Sequence, residues 1–195
     1  MEINLQLIGY FAILIIIVSI FSIGVKLTGK VSSSGDLNIS IEESAEINFT
    51  TDYIDFGSGN VDLGVSNAII DTTGTVENAN WTAITEGFVL ENTGNINVSL
   101  YLKSDKTAEE FLGGTSPSYQ YNISNLDSGS CSSSVITFGQ WYEVNVTDDG
   151  TKICDFFSFD DTHDSIRIDL RLVIPSDAVL GSKSSTFTAT GIVAS

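Results

Sequence analysis

Positive charge is scarce in this chain. Eight Lys and Arg stand against 25 Asp and Glu in 195 residues, a net charge of −17. From Val31 onward the imbalance is steeper, with 24 acidic and six basic residues. Such a surface repels the phosphates of nucleic acid and anionic lipid headgroups, so no nucleic-acid partner is expected. It suits solubility outside a cell, tolerance of salt, or binding of cations. Histidine is scarcer still: His163, in Asp160-Asp-Thr-His-Asp164, stands alone. A hydrolase needs a base beside its nucleophile, and zinc needs three or four His, Cys or carboxylate ligands. The sequence has no Gly-X-Ser-X-Gly elbow and no glycine-rich phosphate loop opening a helix. Carboxylates abound, but their spacing selects no glycosidase pair. The expectation is a protein that is not an enzyme and has no catalytic cofactor, with His163 in a polar loop.

Cysteine is also sparse, and Cys131 and Cys154 are enough for one bridge. Closing the segment between them is worth about 3 kcal/mol by loop entropy, and an extracellular chain would form that disulfide. Asp160, Asp161 and Asp164 cluster, as do Asp148 and Asp149. A structural calcium ion wants oxygen ligands at several loop positions, which makes the first trio the weak candidate; neither stretch matches the twelve-residue helix-loop-helix motif. What is plentiful is Asn-X-Ser/Thr: sequons occur at Asn38, Asn48, Asn80, Asn97, Asn122 and Asn145. Spread over the acidic part, they suit an exported glycoprotein.

One long run lacks charge altogether. Leu7 to Val25, LIGYFAILIIIVSIFSIGV, is nineteen residues. As a helix it would reach roughly 28 Å, close to a bilayer's hydrocarbon core. It is apolar on every face, which suits lipid or a core of neighbouring helices. Leu7, Phe11, Leu14, Ile16, Ile20 and Val25 are the expected core or membrane contacts. Only Glu2 is charged ahead of the run, whereas Lys26 and Lys30 follow it. The positive-inside rule taken literally would leave the acidic part in the cytoplasm; sequons and cysteines argue for export, and export is preferred. The expected organisation is a hydrophobic helix over 1–30, a Ser/Gly hinge over 31–36, and an extracellular acidic domain over 37–195.

That domain reads as strands. Leu37-Asn-Ile-Ser-Ile-Glu42 alternates as a half-buried strand does. Ala45–Thr50, Tyr53–Phe56, Val61–Val65 and Ala68–Ile70 follow. Phe88–Leu90 and Ile96–Leu102 read as a hairpin around Asn92–Asn95, with the Asn97 sequon facing outward. Thr107–Leu112 predicts a helical turn, and Tyr119–Ile123 a short strand. Ser128–Ser134 reads as a loop that Cys131 would tether, and Trp141–Val146 with Lys152–Phe157 as a second hairpin. In Ser165–Ile174 the residues Ile166, Ile168, Leu170, Leu172 and Ile174 should face in, and Arg167, Asp169 and Arg171 out. Pro175 ends that strand, and Ser185–Val193 runs back as the last. The predicted fold is mainly β: an immunoglobulin-like β-sandwich behind a single long N-terminal hydrophobic α-helix.

An apolar N-terminal run, a Ser/Gly hinge and an acidic, sequon-rich β-domain together resemble archaeal type IV pilins and archaellins. The stretches Phe88-Val-Leu-Glu-Asn-Thr-Gly-Asn-Ile-Asn-Val and Val173-Ile-Pro-Ser-Asp-Ala-Val-Leu-Gly-Ser-Lys are similar to archaeal surface β-sandwich proteins and distantly to camelysin/TasA fibre subunits. The first resemblance implies a structural subunit of an extracellular filament serving adhesion or motility. It would rest in the membrane before assembly and join its copies by helix packing, with the glycosylated domain outside. Two alternatives are a single-pass surface adhesin or envelope protein, and a fibre subunit joined by strand donation.

Overall fold

Period-two alternation places most of the strands. The computed structural model describes residues 36–147 and 149–194. Residues Ile41–Ser195 form one compact unit. Its strands are β1 (Ile47–Thr51), β2 (Asn67–Asp71), β3 (Val76–Glu77), β4 (Phe88–Asn92), β5 (Val98–Ser104), β6 (Ser118–Asn125), β7 (Tyr142–Glu143), β8 (Thr151–Phe157), β9 (Ser165–Pro175) and β10 (Phe187–Val193), with one short helix, α1 (Ala108–Phe111).

β9 is the spine. Along one edge it pairs antiparallel with β6 over Ile166–Val173. Along the other it pairs first with β4, over Ser165–Ile168, and then with β2, over Arg171–Pro175. β1 adds to β4, β3 to β2 and β7 to β6, completing a seven-stranded sheet. A three-stranded sheet, ordered β10-β5-β8, packs against it. Ile166, Ile168, Leu170, Leu172 and Ile174 are all buried, as their alternation predicts. Each such side chain contributes roughly 1.5–3 kcal/mol. Phe187 of β10 joins the sheets, its ring about 6 Å from those of Phe88, Tyr119 and Tyr121. Thr107 caps α1 and forms a capping box with Glu110, which explains why TAEEFL holds a helical turn.

Several expectations are corrected. The described chain is mainly β, and its helix has four residues; no helix among the described residues is long and apolar enough to cross a membrane. The sandwich behind one long helix is therefore not the fold found. The stretch expected to form that helix, with Leu7, Phe11, Leu14, Ile16, Ile20 and Val25, lies outside the described residues, as does most of the 31–36 hinge. A seven-plus-three division, with β9 shared by β2 and β4, also differs from the four-plus-three immunoglobulin arrangement.

Both predicted hairpins fail. β4 and β5 belong to different sheets, and so do β7 and β8. At the first crossing, buried Asn92 turns the corner. Its Nδ2 donates to the carbonyls of Ile96 and Phe157 at 3.0 and 3.1 Å, and its Oδ1 accepts from Gly94 N–H. A side chain that satisfies three backbone groups makes a corner where the dipeptide pattern suggested a simple turn. Tyr53–Phe56 forms no strand, and Val61 makes only an isolated bridge to Ala79.

Asp169, expected to face solvent, is buried. Arg167 Nε donates to its Oδ1 at 2.9 Å and Thr72 Oγ1 at 2.7 Å, while Arg167 also donates to the carbonyls of Thr72 and Thr85. Gly87 permits this, because a Cβ there would sit 2.7 Å from Asp169 Oδ1. Next along β9, Arg171 donates to Asp71 Oδ2 at 2.8 Å and lies 4.1 Å over the Trp141 ring. The two pairs staple β2 and the loops after it to the spine's outer face.

Candidate assembly site

The predicted disulfide forms: Cys131 and Cys154 are bonded, with their Cα atoms 5.8 Å apart. It pins the segment before β7 along the free edge of β8. Ser132 N–H donates to Phe156 O, Val135 N–H to Ile153 O, and Asp155 N–H to Ser133 O. One edge of the three-stranded sheet is thereby covered.

The acidic trio does not gather. Among the described residues no three His, Cys, Asp or Glu side chains converge closely enough to hold a metal ion. Asp160 Oδ1 instead accepts from the Thr162 N–H and hydroxyl, closing its own turn, and exposed His163 lies beside it. Burial, together with the charges of Glu91, Asp127 and Asp161, raises the Asp164 carboxyl above its ordinary value. Its ionised form is thus disfavoured by folding, a cost that sets in as pH rises past the ordinary value of 3.8 and is complete above the folded pKa. Asp164→Asn is expected to raise stability at pH 7 by less than about 1 kcal/mol, since the site is largely solvated. Urea midpoints at pH 7 and pH 4 check this; the gain should shrink at the lower pH.

The sequons divide by exposure. Asn38, Asn48 and Asn80 are exposed; Asn97, Asn122 and Asn145 are half-buried. Asn97 lies just ahead of β5 and does not stand fully outward. Asn80 Oδ1 accepts from Asn60 N–H, and the Asn145 amide is engaged with Thr147 and Thr151.

The largest departure from the sequence reading concerns Leu37–Glu42. The alternation predicts a half-buried strand, yet this segment belongs to no strand. Leu37, Ile39 and Ile41 are 92%, 82% and 83% exposed. The chain is clamped just downstream, where Asn95 Nδ2 donates to Glu42 O and Asn95 Oδ1 accepts from Ser44 N–H. Three large aliphatic side chains left this exposed within five residues are unusual, because native proteins otherwise limit exposed apolar patches.

A groove of about 700 Å³ opens between residues 52–59 and 181–185, over a floor that includes Ile70, Phe88, Tyr119 and Leu172. Trp81 lies in its lining, with Gly59 so close that no side chain would fit there. Sequence reading missed the groove. Gly57-Ser-Gly59 and Gly181-Ser-Lys-Ser-Ser185 mark two loops, but nothing local says that they face each other. Among the family models, characterised proteins and solved structures compared with this chain, none matches it.

Proposed function

We propose that this chain is a structural subunit of an extracellular filament at the cell surface, built from copies of itself. The observation that carries this reading is the bare apolar arm, Leu37, Ile39 and Ile41, ahead of a disulfide-tied β-domain. Leaving these side chains in water forgoes roughly 1.5–3 kcal/mol each, which burial against another copy recovers. The uncharged Leu7–Val25 run gives the chain an affinity for lipid before assembly, and acidic residues and sequons suit the domain to the outside.

Negative-stain microscopy of the purified full chain tests the proposal. Filaments of regular width are the expected result. Single particles that remain solitary in lipid or detergent would instead favour an envelope protein or adhesin that never polymerises.

A further inference from the structure

The few lysines of the domain are not scattered. Arg167 and Arg171 are committed to Asp169 and Asp71. The other Lys and Arg beyond residue 31 are Lys103, Lys106, Lys152 and Lys183, and all four belong to the three-stranded sheet or its approaches. Lys103 lies in β5 and Lys152 in β8. Lys106 follows β5, and its Nζ donates to Ser184 O in the chain that leads from Lys183 into β10.

Alternation decides which way this sheet shows its side chains. Val98, Leu100, Leu102 and Ser104 are buried against the larger sheet, so Ser99, Tyr101 and Lys103 stand on the outward face. β10 sets Ile192, Thr190 and Thr188 beside them in register, and these three are exposed. Lys152 pairs with Tyr101 and holds its Nζ 5.8 Å from the ring centroid. Ile192 is 53% and Phe156 39% exposed, which puts apolar surface beside the lysines.

The carboxylates nearby are Asp155, paired with Lys152; Asp105, which accepts from Ser185 and Thr186; and Asp149 ahead of β8. Lysines match them here. The remaining carboxylates beyond residue 31 share only Arg167, Arg171 and His163. Copies this acidic repel one another in most orientations. Turning this face toward another copy's carboxylates replaces that repulsion with attraction.

Resting on the filament reading above, we propose that the outward face of the β10-β5-β8 sheet docks on the acidic surface of a second copy. Lys103 and Lys152 meet its carboxylates, and Ile192 and Phe156 are covered beside them. Pairing the face with itself would set lysine against lysine. The contact therefore joins two different surfaces, and it propagates into an open chain of subunits unless a ring closes.

The test mixes isotope-labelled with unlabelled full chain before assembly and adds a carbodiimide, which couples an amine to a carboxylate already touching it. Mass spectrometry should find Lys103 or Lys152 joined to carboxylates of a differently labelled copy. Two variants at exposed Thr190, opposite Tyr101, separate charge from bulk. Thr190→Glu should lower both this yield and the sedimenting filament fraction at least tenfold, because like charges across a contact oppose it. Thr190→Lys should leave both at or above the parent level, and both variants should keep the parent's thermal midpoint. Equal losses in the two variants would overturn the acidic partner. Undiminished assembly of Thr190→Glu, or filaments without links from these lysines, would overturn the docking face while the filament reading stands. Linked copies without filaments would keep the contact and sink the filament reading. If neither links nor filaments form, both fall.

Discussion

Removing the Cys131–Cys154 bridge is expected to cost about 3 kcal/mol of unfolding free energy, from the chain entropy regained by a loop of this length. The C131A/C154A double variant measures it by urea denaturation against the oxidised parent. The loss should exceed that of an ordinary surface change because the bridge organises more than itself. Without it, the 130–135 segment is held to β8 by hydrogen bonds alone, among them Asp155 N–H to Ser133 O at 2.8 Å and Ser133 Oγ to Asp155 Oδ2 at 3.2 Å. When that cover loosens, β8 becomes an open edge. The variant should therefore also aggregate at lower denaturant concentrations than the parent. Equal midpoints for the two proteins would show that the bridge adds no constraint. Cys154 is fully buried, so reductant should act slowly on the folded chain.

Asp71→Ala is expected to be of similar size, about 3 kcal/mol, near the lower end for breaking a buried ion pair because Arg171 is 27% exposed. Asp71 accepts from Thr73 N–H, Thr73 Oγ1 and Thr75 N–H through Oδ1, and from Arg171 through Oδ2. Truncation leaves all these donors seeking water and frees the end of β2. Burial alone would raise this carboxyl, but the bonds from Thr73, Arg171 and Thr75 outweigh it and hold it below its ordinary value of 3.8. For a depressed carboxyl, the contribution is complete above the unfolded pKa and is lost as pH falls through the folded one. The difference between parent and variant should thus be full at pH 7 and decline below about pH 4. A difference unchanged at pH 2 would mean that the carboxylate's charge is not what stabilises the corner.

What could be read in advance follows from how local the cause is. The inward face of β9 was legible because burial of Ile166, Ile168, Leu170, Leu172 and Ile174 imposes period two on its apolar residues. The turn at Thr107–Leu112 was legible because its capping box, Thr107 to Glu110, is only four residues long. The hairpins were not, since whether β4 turns back on itself or crosses to the other sheet is decided by Asn92 reaching Phe157, 65 residues away. Asp169 was misplaced for the same reason: its partners Arg167 and Thr72 come from one neighbour and one distant loop. The disulfide was legible from two cysteines and a plausible compartment. Of the candidate assembly site, the arm's alternation was visible, but its lack of a partner was not, because a bare strand and a half-buried one have the same sequence. The groove's two walls, more than 120 residues apart, leave no common local signal.

The arm also supplies the sharpest test. Ile39 is 82% exposed in the single chain, so Ile39→Asp should leave folding and the thermal midpoint unchanged. An unpaired carboxylate forced into an apolar contact, however, costs several kcal/mol. The deciding measurement is the fraction of full-length protein that sediments as filaments, compared between the parent chain and Ile39→Asp at equal concentration. At least a tenfold fall is predicted. A variant that folds and pellets as filaments to the same extent as the parent would contradict assembly through the arm.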